Sequence, residues 1–88
     1  DVVAVNWPEK VLLLGECKWG ADPVGLEVLR ELVDQKTPRV LATLPEGGAG
    51  WRVYHALFAR AGFTEAVRAA AAEMGATLLD LAQMDAAL

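Results

Sequence analysis

The sequence predicts an α/β fold, a central mixed sheet flanked by helices. Three observations carry this: two adjacent Val- and Leu-rich runs of strand length, two residue-then-proline helix starts, and a closing strand, helix and strand punctuated by Gly62 and Gly75. At 88 residues the chain makes one domain at most, and it buries a smaller share of its surface than a domain of average size. A hydrophobic fraction of 55% with 23% charged residues belongs to folded globular chains, not to disordered ones.

Asp1 to Asn6 and Val11 to Trp19 read as neighbouring strands, with Pro8 marking the turn between them. Side chains alternate along a strand, so Leu12, Leu14, Glu16 and Lys18 share one face, while Leu13, Gly15 and Cys17 take the other. Apolar residues on both faces predict central strands, the second covered on both sides. Asp22-Pro23 predicts a helix start, with a capping side chain followed by the residue that needs no amide hydrogen, and the helix is expected to reach about Lys36. Val28, Leu29, Leu32 and Val33 form its apolar stripe, and Glu27, Arg30, Glu31 and Asp34 its wet side. Thr37-Pro38 repeats the signal, so Arg39 to Leu44 is expected to be a second short helix, although Val40, Ala42 and Leu44 also alternate like a strand. Pro45 to Gly50 reads as a flexible loop and Trp51 to Ala59 as a strand. Thr64 caps a helix through Met74, Gly75 ends it, and Ala76 to Leu81 closes the chain's sheet as a right-handed parallel crossover. The predicted order is β, β, α, (α), β, α, β.

Charges at the end of an apolar strand call for an explanation. With Trp7 to Lys10 as a four-residue loop, Asn6 faces Val11, and counting back sets Asp1 opposite Glu16. Directly opposed residues have Cβ atoms roughly 4.5 to 5.5 Å apart, where two carboxylates repel unless a cation or a lysine lies between them. Asp1, Glu16 and Lys18 therefore outline a divalent-metal site, since carboxylate oxygens suit a hard cation. A surface ion-pair cluster is the plainer account of the same three residues.

An acidic residue on one strand and Glu-x-Lys on the next resembles the PD-(D/E)XK nuclease superfamily, here Asp1 with Glu16-Cys17-Lys18. The segments Asp1-Val2-Val3-Ala4-Val5-Asn6, Leu13-Leu14-Gly15-Glu16-Cys17-Lys18-Trp19 and Leu57-Phe58-Ala59-Arg60-Ala61-Gly62-Phe63-Thr64 are similar to the nuclease-like domain attached to a family of prokaryotic ATPases. The resemblance implies a restriction-endonuclease-like core, here a fragment spanning residues 1–88 and lacking its first helix and strand. It implies Mg²⁺ or Mn²⁺ held by Asp1, Glu16 and the backbone carbonyl of Cys17, with Lys18 either orienting the attacking water or stabilising charge on the reacting phosphate, and hydrolysis of DNA phosphodiesters. A non-catalytic C-terminal module that binds DNA or protein and regulates an ATPase is the alternative. A fragment of this kind is also expected to leave apolar surface for a second copy, as a homodimer, or for the missing segment.

A net charge of −4 is ill suited to holding a phosphate backbone by counterion release and weakens the nucleic-acid expectation. The single cysteine, Cys17, forms no internal disulfide and suits a reducing cytoplasm; it is expected to face away from the site as a small core residue. No apolar run approaches the ~20 residues that span a bilayer, so no membrane association is expected. The glycine loop at 47–50 lacks the lysine and serine of a phosphate-binding loop. Gln35 and Lys36 rank below Asp1, Glu16 and Lys18 as site residues: in some branches of the superfamily a helical Gln helps hold the site, but Gln35 falls in the last helical turn and is expected to be solvated. His55, without an acidic neighbour, is expected to be a hydrogen-bonded structural residue. Trp19 could stack on a base, but core packing is favoured; Trp7 and Trp51 are candidates for exposed contacts.

Overall fold

A computed structural model describes residues 2–83. Strands β1 (Val2–Asn6), β2 (Val11–Lys18), β3 (Arg52–Ala59) and β4 (Thr77–Asp80) form one sheet in the order β1-β2-β3-β4. The first pair is antiparallel and the other two are parallel, so the sheet is mixed, as expected. Asn6 lies across from Val11 and Val2 across from Gly15, the register that the four-residue loop dictates. Within that loop Lys10 takes a left-handed backbone (φ 53°), and Asn6 Oδ1 accepts the Glu9 amide at 3.1 Å.

One helical run connects β2 to β3: α1 (Leu26–Glu31), a π-helical turn at Leu32–Lys36, and α2 (Thr37–Leu41). The second connection is α3 (Glu65–Met74), between β3 and β4. Leu12, Leu14, Leu57 and Ala59 from the sheet pack with Leu29 and Leu32 from the first run and Val67 and Ala71 from α3. Both helical connections therefore lie on one face, as two successive right-handed crossovers moving in the same direction require. This corrects the expectation of helices flanking the sheet, and of a β2 buried on both sides. No described element covers the opposite face, where Tyr54 and Cys17 are exposed. Gly15 is buried there because the Phe58 ring lies over it, 3.4 Å from where a Cβ would sit. Nor is β1 central: it is the sheet's edge and exposed throughout.

The helix boundaries differ from the expected ones for identifiable reasons. Asp22-Pro23 does not start a helix, because Val24 pairs with Phe63 as a parallel bridge. The Val24 amide donates to the Gly62 carbonyl at 2.9 Å and the Thr64 amide to the Val24 carbonyl at 3.0 Å, burying both Val24 and Phe63. The chain stays extended to Gly25, which is the N-cap. Thr37-Pro38 does not separate two helices either. Pro38 has no amide hydrogen and its ring opposes the carbonyl four residues back, so the ladder widens by one residue just before it. The amide and the hydroxyl of Thr37 both donate to the Leu32 carbonyl, the hydroxyl at 2.7 Å. The last elements match expectation closely: Thr64 accepts the Val67 amide, and Gly75 (φ 75°) supplies the left-handed stop.

Candidate functional site

Strands β2, β3 and β4 all run in one direction and end together at Lys18, Ala59 and Asp80. Outside the carboxyl ends of parallel strands is where open α/β sheets bind their ligands. Glu16 stands at this end on the helix-covered face, two residues beyond the buried Leu14, and is itself only 7% exposed. Burying a carboxylate is costly unless charge and hydrogen bonds compensate it. Lys36 supplies that compensation: its Nζ donates to both Glu16 oxygens at 2.8 Å. Lys18 Nζ is 3.6 Å from Glu16 Oε1, and Glu31 reaches Lys36 at 3.9 Å from the solvent side. The Lys36 side chain is 24% exposed and that of Lys18 47%, so one ammonium closes the site from the helix and the other opens it to water.

Of the predicted site residues, Glu16 and Lys18 are brought together as expected. Asp1 lies outside the described residues, and the register is established as far as Val2 across from Gly15. Cys17 faces away from Glu16, as expected, yet it is exposed and not part of the core, because no described element packs on its side of the sheet. Among the described residues no three His, Cys, Asp or Glu side chains gather as a metal cluster.

Lys36 is the residue that sequence reasoning missed, ranking it below Glu16 and Lys18. The signal was present in its spacing: Lys36 follows Leu29 by seven residues and Leu32 by four, which is the periodicity of the buried stripe itself. The π-helical turn refines this placement. It stacks Thr37, not Lys36, over Leu32, turning the lysine aside toward β2. Gln35, by contrast, is exposed as expected.

His55 supports the same turn from beneath. It lies beside Leu14 on β3, and its Nε2 is 2.9 Å from the Thr37 hydroxyl. Since that hydroxyl donates to Leu32, it accepts from His55, so Nε2 carries the hydrogen. His55 is therefore the hydrogen-bonded structural residue expected. Burial lowers its pKa below the ordinary value of 6.5, by penalising the charged ring. The unfolded chain then takes up the proton first as pH falls, so this contribution to stability is complete above the ordinary value and is lost as pH drops through the folded pKa. His55→Gln keeps a donor for Thr37 but cannot charge. Its urea midpoint is expected to fall less than that of the wild-type chain between about pH 7.5 and pH 5; equal slopes would assign the pH dependence to the carboxylates.

Trp19, expected in the core, is 58% exposed just past the end of β2. Trp7 is exposed as expected, whereas Trp51 is half-buried against the core and meets Trp7 edge to face at 5.2 Å. No described helix is long and apolar enough to cross a membrane. No family model, curated protein or solved structure matches the chain.

Proposed function

We propose that this chain is a nuclease-like domain of the PD-(D/E)XK kind, in which the carboxyl end of β2 hydrolyses DNA phosphodiesters with Mg²⁺ or Mn²⁺. One observation carries the proposal: a buried glutamate ends an apolar strand and holds two ammonium groups within 4 Å. Carboxylate and carbonyl oxygens are the donors that a hard cation takes. Lys36 Nζ sits 2.8 Å from both Glu16 oxygens, the place a chelated cation would take. Asp1, Glu16 and the Cys17 carbonyl would hold the ion, which when bound lowers the pKa of its water and polarises the phosphoryl oxygen. Glu16 is held on the helix-covered face by the strand beneath it, and Lys36 is the cation that a metal ion would displace. Lys18, half-exposed on the same face, neutralises negative charge on a phosphate brought to this edge.

The test is nicking of supercoiled plasmid by the chain with Mg²⁺ or Mn²⁺. Glu16→Gln preserves an acceptor for Lys36 while removing the charge, and it is expected to abolish metal-dependent nicking. Nicking that persists in Glu16→Gln places the chemistry elsewhere.

The bidentate hold of Lys36 on Glu16 favours a second reading, in which a lysine has taken the cation's place and the domain is a non-catalytic module regulating an attached ATPase. In that case no nicking occurs under any metal condition, and the chain alters the turnover of the ATPase portion.

A further inference from the structure

The exposed residues just past the ends of β2 and β3 form a second feature that the proposed chemistry does not use. The Arg60 amide donates to the Lys18 carbonyl at 3.0 Å, so Arg60 and Trp19 are neighbours where β2 and β3 end. Trp19 is more than half exposed, and apolar indole area left in water is costly. Arg60 is exposed as well, and among the described residues no carboxylate closes an ion pair with it. Arg60 also lines a shallow cleft of about 440 Å³ with Gly62 and Asp80. The Asp80 carboxylate is engaged there, its Oδ1 accepting the Gln83 amide at 2.9 Å, while the Gln83 side chain accepts the Asp80 amide.

We propose that Trp19 and Arg60 form a seat for single-stranded DNA: one unpaired base stacks on the Trp19 indole, and the adjoining phosphate is held by Arg60. The inference rests on the nuclease-like reading for the nature of the ligand. Single strands are held by aromatic platforms together with cations along the backbone, and stacking supplies part of the affinity because every base offers a π-face. A duplex keeps its bases stacked on one another and is held through many phosphates, which a chain of net charge −4 is poorly equipped to contact.

The test uses a fluorescein-labelled oligo-dT and anisotropy in EDTA at low salt, so that binding is read without cleavage. Trp19→Ala is expected to weaken binding by about 5- to 150-fold, with Trp19→Phe recovering most of it. Trp7→Ala, an exposed tryptophan in the hairpin loop at the other end of β2, is expected to change nothing. Arg60→Ala is expected to reduce the slope of log affinity against log salt by about 0.7, one single-strand phosphate contact. Failure of the wild-type chain to bind the oligomer, tighter binding of a duplex of equal length, or equal binding by Trp19→Ala overturns the seat. The two proposals fail separately. Binding that depends on Trp19, with no metal-dependent nicking, leaves the seat and removes the nuclease; nicking that depends on Glu16 but is indifferent to Trp19 does the reverse.

Discussion

Leu12→Ala is expected to lower the free energy of unfolding by about 3 kcal/mol, inside the ~2–5 kcal/mol range for truncating a fully buried leucine. Leu12 is 0% exposed and sits mid-strand in β2, between Val5 of β1 and Val53 of β3 and beneath the helical face. Its neighbours belong to a sheet and cannot collapse into the space, so the cavity term adds to the lost transfer energy. A chain of this length has a total stability on the order of 4–13 kcal/mol, so the variant is left near the threshold of folding at physiological temperature. Urea unfolding measures it, as a fall in midpoint at constant slope. Val3→Ala, on the exposed edge strand, is the comparison and is expected to cost under about 1 kcal/mol. Similar costs for the two would mean that the core does not lie between β2 and the helices.

Lys36→Met is expected to cost about 1–3 kcal/mol, less than the ~3–5 kcal/mol for breaking a fully buried pair because a quarter of the Lys36 side chain is in solvent. It leaves Glu16 buried with Lys18 at 3.6 Å, a half-exposed lysine that shields only weakly. Adding Glu16→Leu to Lys36→Met removes the stranded carboxylate, and the double variant is expected to return to within about 1 kcal/mol of wild type, since an apolar pair of similar volume avoids desolvation altogether. Additive losses in this double-mutant cycle would show that the two residues are not coupled. A second measurement links the pair to function. Lysine and divalent cation compete for the same two oxygens, so Mn²⁺ is expected to raise the thermal midpoint of Lys36→Met more than that of the wild-type chain, by mass action. An equal shift in both would mean that the ion, if bound, does not use Glu16.

Much of the fold was legible along the chain because its signals are local. The hairpin register follows from loop length and strand alternation, and the α3 boundaries from Thr64 and Gly75, each acting within a few residues. The errors have a common origin in partners distant in sequence. Asp22-Pro23 carries a sound capping signal, but Val24 is held extended by Phe63 and the helix begins later. Pro38 signals a boundary by local rules, whereas packing of Leu32 and Thr37 keeps the helix continuous through a wider turn. For the candidate site, Glu16 and Lys18 were visible as charges that end an apolar strand. Lys36 is legible only through its spacing from Leu29 and Leu32, which puts it on the buried stripe.

By itself the sequence determined which segments become strands and helices, how β1 meets β2, and that Glu16 and Lys18 share a face, because strand and helix periods are properties of the backbone. Only the tertiary structure decided that both helical connections cover one face, that Trp19 and Cys17 stay in solvent, and that Lys36 closes on Glu16. Those outcomes depend on the direction in which each crossover returns and on which buried charge needs a counterion, and neither is written in any local stretch of residues.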